Sequence, residues 1–189
     1  AAYLSRIKTS FGVVSQDYDS LLFGATRLIR NLGLARKRKT ISGWQEIRPE
    51  LIDLHQILNL LAINLDQLIC IGILVGTDYN PKGILGIGQK KAFEIVKKYK
   101  QPVLIFKNVE EQMMSMPEKD RFEWQEIFEL FHKPRVTNAD FRFGKVDEKK
   151  IKDILVEKHD FSAERVDKQL EKLREFKEKK KQKGLKEWV

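Results

Sequence analysis

Residues 74–96 read LVGTDYNPKGILGIGQKKAFEIV and place a carboxylate, Asp78, within ten residues of a glycine-rich, phosphate-gripping turn. Gly83, Gly86 and Gly88 allow backbone geometries that a side chain would block, and they leave amides open to close approach by a ligand. A helical pattern begins at once: Ala92, Phe93, Ile95, Val96 and Tyr99 recur at helical spacing over residues 89–99. Gly86 and Gly88 therefore sit at a helix N-terminus, where backbone amides attract phosphate. The segment ILGIG at 84–88, followed by Lys90 and Lys91, fits a helix-hairpin-helix that holds a nucleic-acid backbone without reading bases. A glycine-rich turn capping an ordinary helix is the competing explanation. The carboxylate beside the turn points to metal-dependent chemistry on nucleic acid.

Composition supports a folded, polyanion-binding chain. The 189 residues are 42% hydrophobic, enough for one substantial core or a core with an appendage. Thirty-six Lys and Arg against 27 Asp and Glu give a formal charge of +9, and the pI is near 9.5. Nucleic acid is the natural partner, with a membrane surface the competing class. The longest apolar run, residues 68–75, is too short to span a bilayer and reads as a buried segment. Cys70 lies inside it as a small buried thiol, and a single cysteine excludes an internal disulfide, which fits a reducing compartment. The opening Ala1-Ala2-Tyr3 has neither an initiator Met nor a signal-peptide pattern, and a fragment of a larger protein is expected.

The pattern predicts strands at 11–14, 27–32 and 38–47, the last reached through the basic run at 36–39. Pro49 is expected to open a helix running to Leu61, with a second helix at 65–75. Gln101-Pro102 is expected to stop the helix of 89–99 and lead into a mixed connecting segment at 103–120. Residues 121–131 carry Phe122, Trp124, Ile127, Phe128 and Phe131, an aromatic helical face that reads as core. Helices are predicted at 147–159 and from Ser162 to about residue 183. The fold class is mixed α/β and helix-rich. The expected division is a sheet region at 1–48, a helical DNA-binding region at 49–181 with its hairpin at 82–91, and a tail at 182–189.

Asp17 and Asp19 are two apart, so in extended geometry both point to one side and their oxygens can approach one cation. Asp78 is the third candidate. Hard oxygen ligands suit Mg2+ or Mn2+, and a pair of such ions can activate water in phosphodiester cleavage. Taken singly, an Asp-rich turn after a strand accounts for Asp17 and Asp19, and an Asx turn accounts for Asp78. His55, His132 and His159 have no metal-ligand spacing, and the chain has no hydrolase triad or Walker-type lysine, which excludes those classes.

SQDYDSLLFG at 15–24, LVGTDYNPKGILGIG at 74–88 and HDFSAERV at 159–166 resemble archaeal flap endonucleases of the XPG-like structure-specific 5′ nuclease family. The resemblance implies the C-terminal half of a 5′ nuclease fold that cuts branched DNA where duplex meets a 5′ flap, in replication and repair. It implies that Asp17, Asp19 and Asp78 are catalytic metal ligands, and that 82–91 is a duplex-binding helix-two-turn-helix, often holding a monovalent cation such as K+. The family's other carboxylates lie upstream of an AAY segment. The chain alone is therefore expected to be inactive without an N-terminal nuclease portion. Gln182, Leu185 and Trp188 match a clamp-binding box for the PCNA sliding clamp, from which Val189 departs. The expected setting is intracellular, cytoplasmic and nucleoid-associated. Two other readings are a non-catalytic DNA-binding adaptor tethered to the clamp, and a basic scaffold for a protein or membrane surface.

Overall fold

The computed structural model describes residues 1–33, 37–41, 43–137 and 144–186. A short helix α1 (Ala2–Arg6) leads to strand β1 (Val13–Val14), helix α2 (Asp19–Leu22) and strand β2 (Arg27–Arg30). Then come β3 (Lys37–Thr40), β4 (Gly43–Glu46) and β5 (Glu50–Asp53). β1 runs parallel to β2 and β5 antiparallel to it, giving the order β1-β2-β5 with Val13 opposite Leu28 and Leu28 opposite Ile52. β3 and β4 form a separate antiparallel hairpin.

Helices α3 (Leu54–Leu61), α4 (Leu65–Val75), α5 (Gln89–Tyr99), α6 (Pro102–Asn108), α7 (Glu110–Met114) and α8 (Trp124–His132) follow, with a 3-10 turn at Glu118–Asp120. Asp53 caps α3 by accepting from the Gln56 amide at 3.2 Å. Asn64 and Gln67 form a reciprocal capping box on α4, with bonds of 2.8 and 3.0 Å. α4 then runs through the core: Ile69, Cys70, Ile73 and Leu74 are all fully buried among Ala92, Val96, Ile105 and Phe131. Burial pushes the Cys70 thiol up to about 12, with the nearby Asp66 charge adding to it, so the thiol stays protonated. The aromatic face of α8 is core, as expected. Trp124 stacks on Phe106 with centroids 4.3 Å apart, and Phe131 lies against Phe23 at 4.7 Å.

The second compact unit, Asn138–Val189, is distinct from Ala1–Thr137. Asp147 caps α9 (Glu148–Lys152), a π-helical turn (Asp153–Glu157) follows, and α10 (Ala163–Lys186) begins after Ser162. Arg174 of α10 pairs with Glu148, whose carboxyl is held below the usual range by that hydrogen bond first.

Several expectations are corrected. Residues 38–47 are not one strand but fall on the two arms of a hairpin in which Thr40 stands opposite Gly43. Pro49 precedes a strand instead of opening a helix, because residues 50–53 pair with β2 and Asp53 supplies the cap one turn later. The helix of 89–99 ends before Gln101-Pro102 as expected, but Pro102 then opens α6 at its first turn, and 103–120 is mostly helical instead of a mixed connecting segment. The expected helix at 147–159 breaks into an α and a π segment. β5, just beyond the expected boundary at 48/49, pairs with β2. Among the described residues no single helix is long and apolar enough to cross a membrane.

The loop from 76 to 88 completes α4. Helix ends leave their last carbonyls without partners, and here three find them: Gly76 donates to Gly72 at 2.7 Å, the Asn80 side-chain amide to Ile73 at 2.7 Å, and the Ile84 amide to Leu74 at 2.9 Å. Asn80, 5% exposed, also accepts from the Thr77 amide at 3.1 Å and the Thr77 hydroxyl at 2.7 Å. Asn80→Ala leaves these groups buried and unpaired. It is expected to lower stability by about 3 kcal/mol, read as a shift in the urea unfolding midpoint. A loss well under about 1 kcal/mol would show that the loop is not held this way.

Candidate metal and nucleic-acid interface

Asp17 is exposed in the link from β1 to α2, its amide donating to the Ser15 hydroxyl at 3.0 Å. Asp19 is the first residue of α2 and half-buried, while Asp78 is exposed in the turn after α4. What joins them is the packing of α2 on α4. A Cβ at Gly72 would stand 2.7 Å from a Leu22 methyl, so the absent side chain lets Leu22 sit directly against α4. The start of α2 thereby meets the chain leaving α4. Asp78 is thereby close enough to Asp19 for its charge and its backbone to act on that carboxyl. Asp19's pKa is raised, first by burial and then by the Asp78 charge, with Asp17 adding a smaller push; the Asp78 backbone opposes them.

The donor chemistry fits a hard divalent cation: carboxylate oxygens concentrated so that one of them resists ionisation. It is a partial set. Among the described residues, no three His, Cys, Asp or Glu side chains converge closely enough to hold an ion by themselves. Sequence reasoning did not find Tyr18 and Arg30. The Arg30 guanidinium donates to the Tyr18 hydroxyl, lies 4.5 Å over its ring and stands 3.5 Å from Glu50. This ties the segment between the two aspartates to β2. Twelve residues separate the pair, so no local spacing signals it.

The hairpin residues divide into two roles. Gly83 is buried with φ +54, and a Cβ there would lie 2.3 Å from the Val75 carbonyl oxygen. Its amide donates to Asn80 at 2.9 Å. Gly83 therefore serves close backbone approach, not ligand contact as expected. Gly86, with φ +78, and Gly88 are exposed with open space around them. Gly88 is the N-cap of α5 and offers no side-chain cap, and the first turn has no acidic residue. Lys90 and Lys91 are exposed there instead. Cations at a helix N-terminus oppose its dipole by a few tenths of a kcal/mol or more, and an anion bound by the free amides reverses that cost. Lys82 is not available in the same way: it pairs with Asp120 at 2.9 Å. The side chains of Gln182 and Leu185, and all of Trp188, lie outside the described residues.

The sequence and the fold are similar to those of known nucleases. The family model described as XPG I-region matches residues 1–78. Flap endonuclease 1 of Sulfurisphaera tokodaii is 47% identical over 197 residues, covering 100% of this chain and 55% of its own length. Over its whole length the chain is similar to nucleases of the XPG-like family. Flap endonuclease 1 of Sulfolobus acidocaldarius is 43% identical over 196 residues, again with 100% of this chain and 55% of the relative covered. The structure of flap endonuclease-1 from Methanococcus jannaschii superposes with a TM-score of 0.72 at 36% identity, covering 92% of this chain and 48% of that one. The catalytic core of Rad2 in complex with DNA substrate shares the fold, with a TM-score of 0.66 at 20% identity over 88% of this chain and 58% of that one. The chain thus spans about half the length of the curated relatives it matches.

The crowded carboxylates make a stability prediction for this chain. A raised pKa means that Asp19 favours the fold while protonated, and that this contribution is lost as pH rises through its folded-state pKa. Asp19→Asn is therefore expected to raise Tm at pH 7 without divalent cation, with the gain fading at acidic pH. Mg2+ should raise the Tm of the original chain more than that of the variant. A variant no more stable than the original at pH 7 would contradict the crowding.

Proposed function

We propose that this chain supplies part of the metal site and the duplex-binding element of a structure-specific 5′ flap endonuclease of DNA replication and repair. The observation that carries the reading is the seating of α2 on α4 through Leu22 and Gly72, which brings the Asp19 carboxyl beside Asp78 at the loop that leads into α5. Asp17, Asp19 and Asp78 hold divalent metal, Mg2+ with Mn2+ as a substitute, together with oxygen ligands from outside these 189 residues. When bound, that metal polarises the phosphodiester and lowers the pKa of the attacking water. Gly86 and Gly88 present backbone amides to a duplex phosphate, and Lys90 and Lys91 add charge without reading bases. K+ at the hairpin belongs to the same reading. Tyr18 and Arg30 keep the aspartate segment against the sheet.

Branched DNA with a 5′ flap is the substrate and a PCNA-type clamp the partner, docked through Gln182, Leu185 and Trp188. The clamp assignment is supported by the spacing of those three anchors alone. The protein works inside the cell, where chromosomal DNA is.

The contribution of Lys90 and Lys91 is measurable as salt dependence. Replacing both by Glu should weaken binding to any duplex and reduce the slope of log K against log salt by about 2. An unchanged slope would place the duplex elsewhere. Catalysis is tested with a double-flap DNA in Mg2+, using the chain alone and mixed with a separately made N-terminal half of a related flap endonuclease. Cleavage is expected only in the mixture. Turnover near about 1 per second by the chain alone would overturn the partial-site reading. Inactivity of the mixture, despite association and DNA binding, would favour a DNA-binding adaptor.

A further inference from the structure

The hairpin of β3 and β4 takes no part in the site above, yet it carries the most exposed large apolar side chains of the strand region. Ile41 at its turn is fully exposed, and Trp44 is 71% exposed. Large aromatics are rarely left in water without a use. The hairpin is an excursion between two strands that pair directly, β2 and β5, and Arg30 opposite Glu50 closes that ladder where the excursion leaves and returns. Deleting it would leave the β2–β5 ladder intact. Its presence needs another reason.

The register supplies one. Lys39 stands directly opposite Trp44, and Lys37 opposite Glu46, so these four residues share a face of the hairpin. Glu46 is engaged by Arg48 at 2.9 Å. Lys37 and Lys39 are exposed. Across 36–48 there are five cationic residues against one Glu, a net charge of +4. Among the described residues the Trp44 ring has no aromatic or cation–π partner.

An exposed indole between lysines matches what an unpaired, flexible polynucleotide presents: a base face to stack on and flanking phosphates to neutralise. A duplex hides its base faces within the stack, and an apolar protein partner would gain nothing from the net charge. We propose that the β3–β4 hairpin is a binding site for single-stranded nucleic acid, with Trp44 stacking on an unpaired base and Lys37 and Lys39 holding the adjacent backbone. The proposal rests on the function above only in taking nucleic acid as the polyanion. It uses neither the aspartates nor the start of α5.

The test uses the full chain and a dT12 oligonucleotide. In a Trp124→Phe, Trp188→Phe background, Trp44 is the sole indole, and its emission is expected to be quenched saturably by dT12. In the otherwise unaltered chain, Trp44→Ala should weaken dT12 binding about ten-fold by fluorescence anisotropy, Trp44→Phe should recover part of it, and circular dichroism should not change. Equal affinity of the Trp44→Ala chain for dT12 overturns the proposal. So does emission that stays constant at saturating dT12, or that responds to anionic phospholipid vesicles and not to DNA. Blunt duplex binding, read on the chain with Lys90 and Lys91 replaced by Glu, separates the two readings. Duplex binding that depends on those lysines while Trp44 is silent leaves the proposed function standing and removes this one. Quenched Trp44 with duplex binding indifferent to those lysines does the reverse.

Discussion

An apolar helix that runs through a core must still dispose of its last carbonyls, and in this protein the solution shapes everything downstream. At the end of α4 the carbonyl of Ile73 is met by a side chain, Asn80, and that of Leu74 by a backbone amide ten residues further on, Ile84. To reach them the loop must double back against the helix. Only a glycine fits at 83, where the chain passes the Val75 carbonyl with a positive φ. Buried polar groups left unpaired are costly, so the path of the loop follows from hydrogen-bond satisfaction. That path leaves Asp78 on one side and delivers Gly88 to the start of α5 on the other.

The same helix sets the electrostatics. Because α4 carries a glycine where α2 crosses it, Leu22 packs without an intervening side chain and the Asp19 carboxyl comes close to Asp78. Burial and two like charges then raise the proton affinity of Asp19. A fold optimised for stability alone has no use for such crowding. The Lys90 and Lys91 pair at an uncapped helix start follows the same logic in the opposite sign. Both places carry unbalanced charge of the kind that a ligand neutralises: a cation at the first, a phosphate at the second. The β3–β4 hairpin adds a third exposed cationic surface, and its flat register brings an aromatic ring and lysines to one face.

The sequence by itself determined the helices whose periodicity was long and uninterrupted. α4 and α5 fall on the expected residues 65–75 and 89–99, since apolar residues run through the first and recur at helical spacing in the second. The aromatic face of α8 was legible as core for the same reason. The aspartates could be named as candidates because the motifs around them resemble a known family, and the hairpin glycines because they stand just before a helical pattern. Proline misled at 49, and at 102 it marked the end of one helix without revealing that another begins there, since a proline restricts φ without saying what comes next; β2 recruited residues 50–53 and core burial of Ile105 and Phe106 recruited α6. Only tertiary structure decided that Gly83 packs while Gly86 and Gly88 remain open, that Arg30 braces Tyr18, and that Asp19 meets Asp78 across a gap of fifty-nine positions. Those are relations between residues distant in the chain, fixed by which surfaces bury together, and local pattern carries no trace of them.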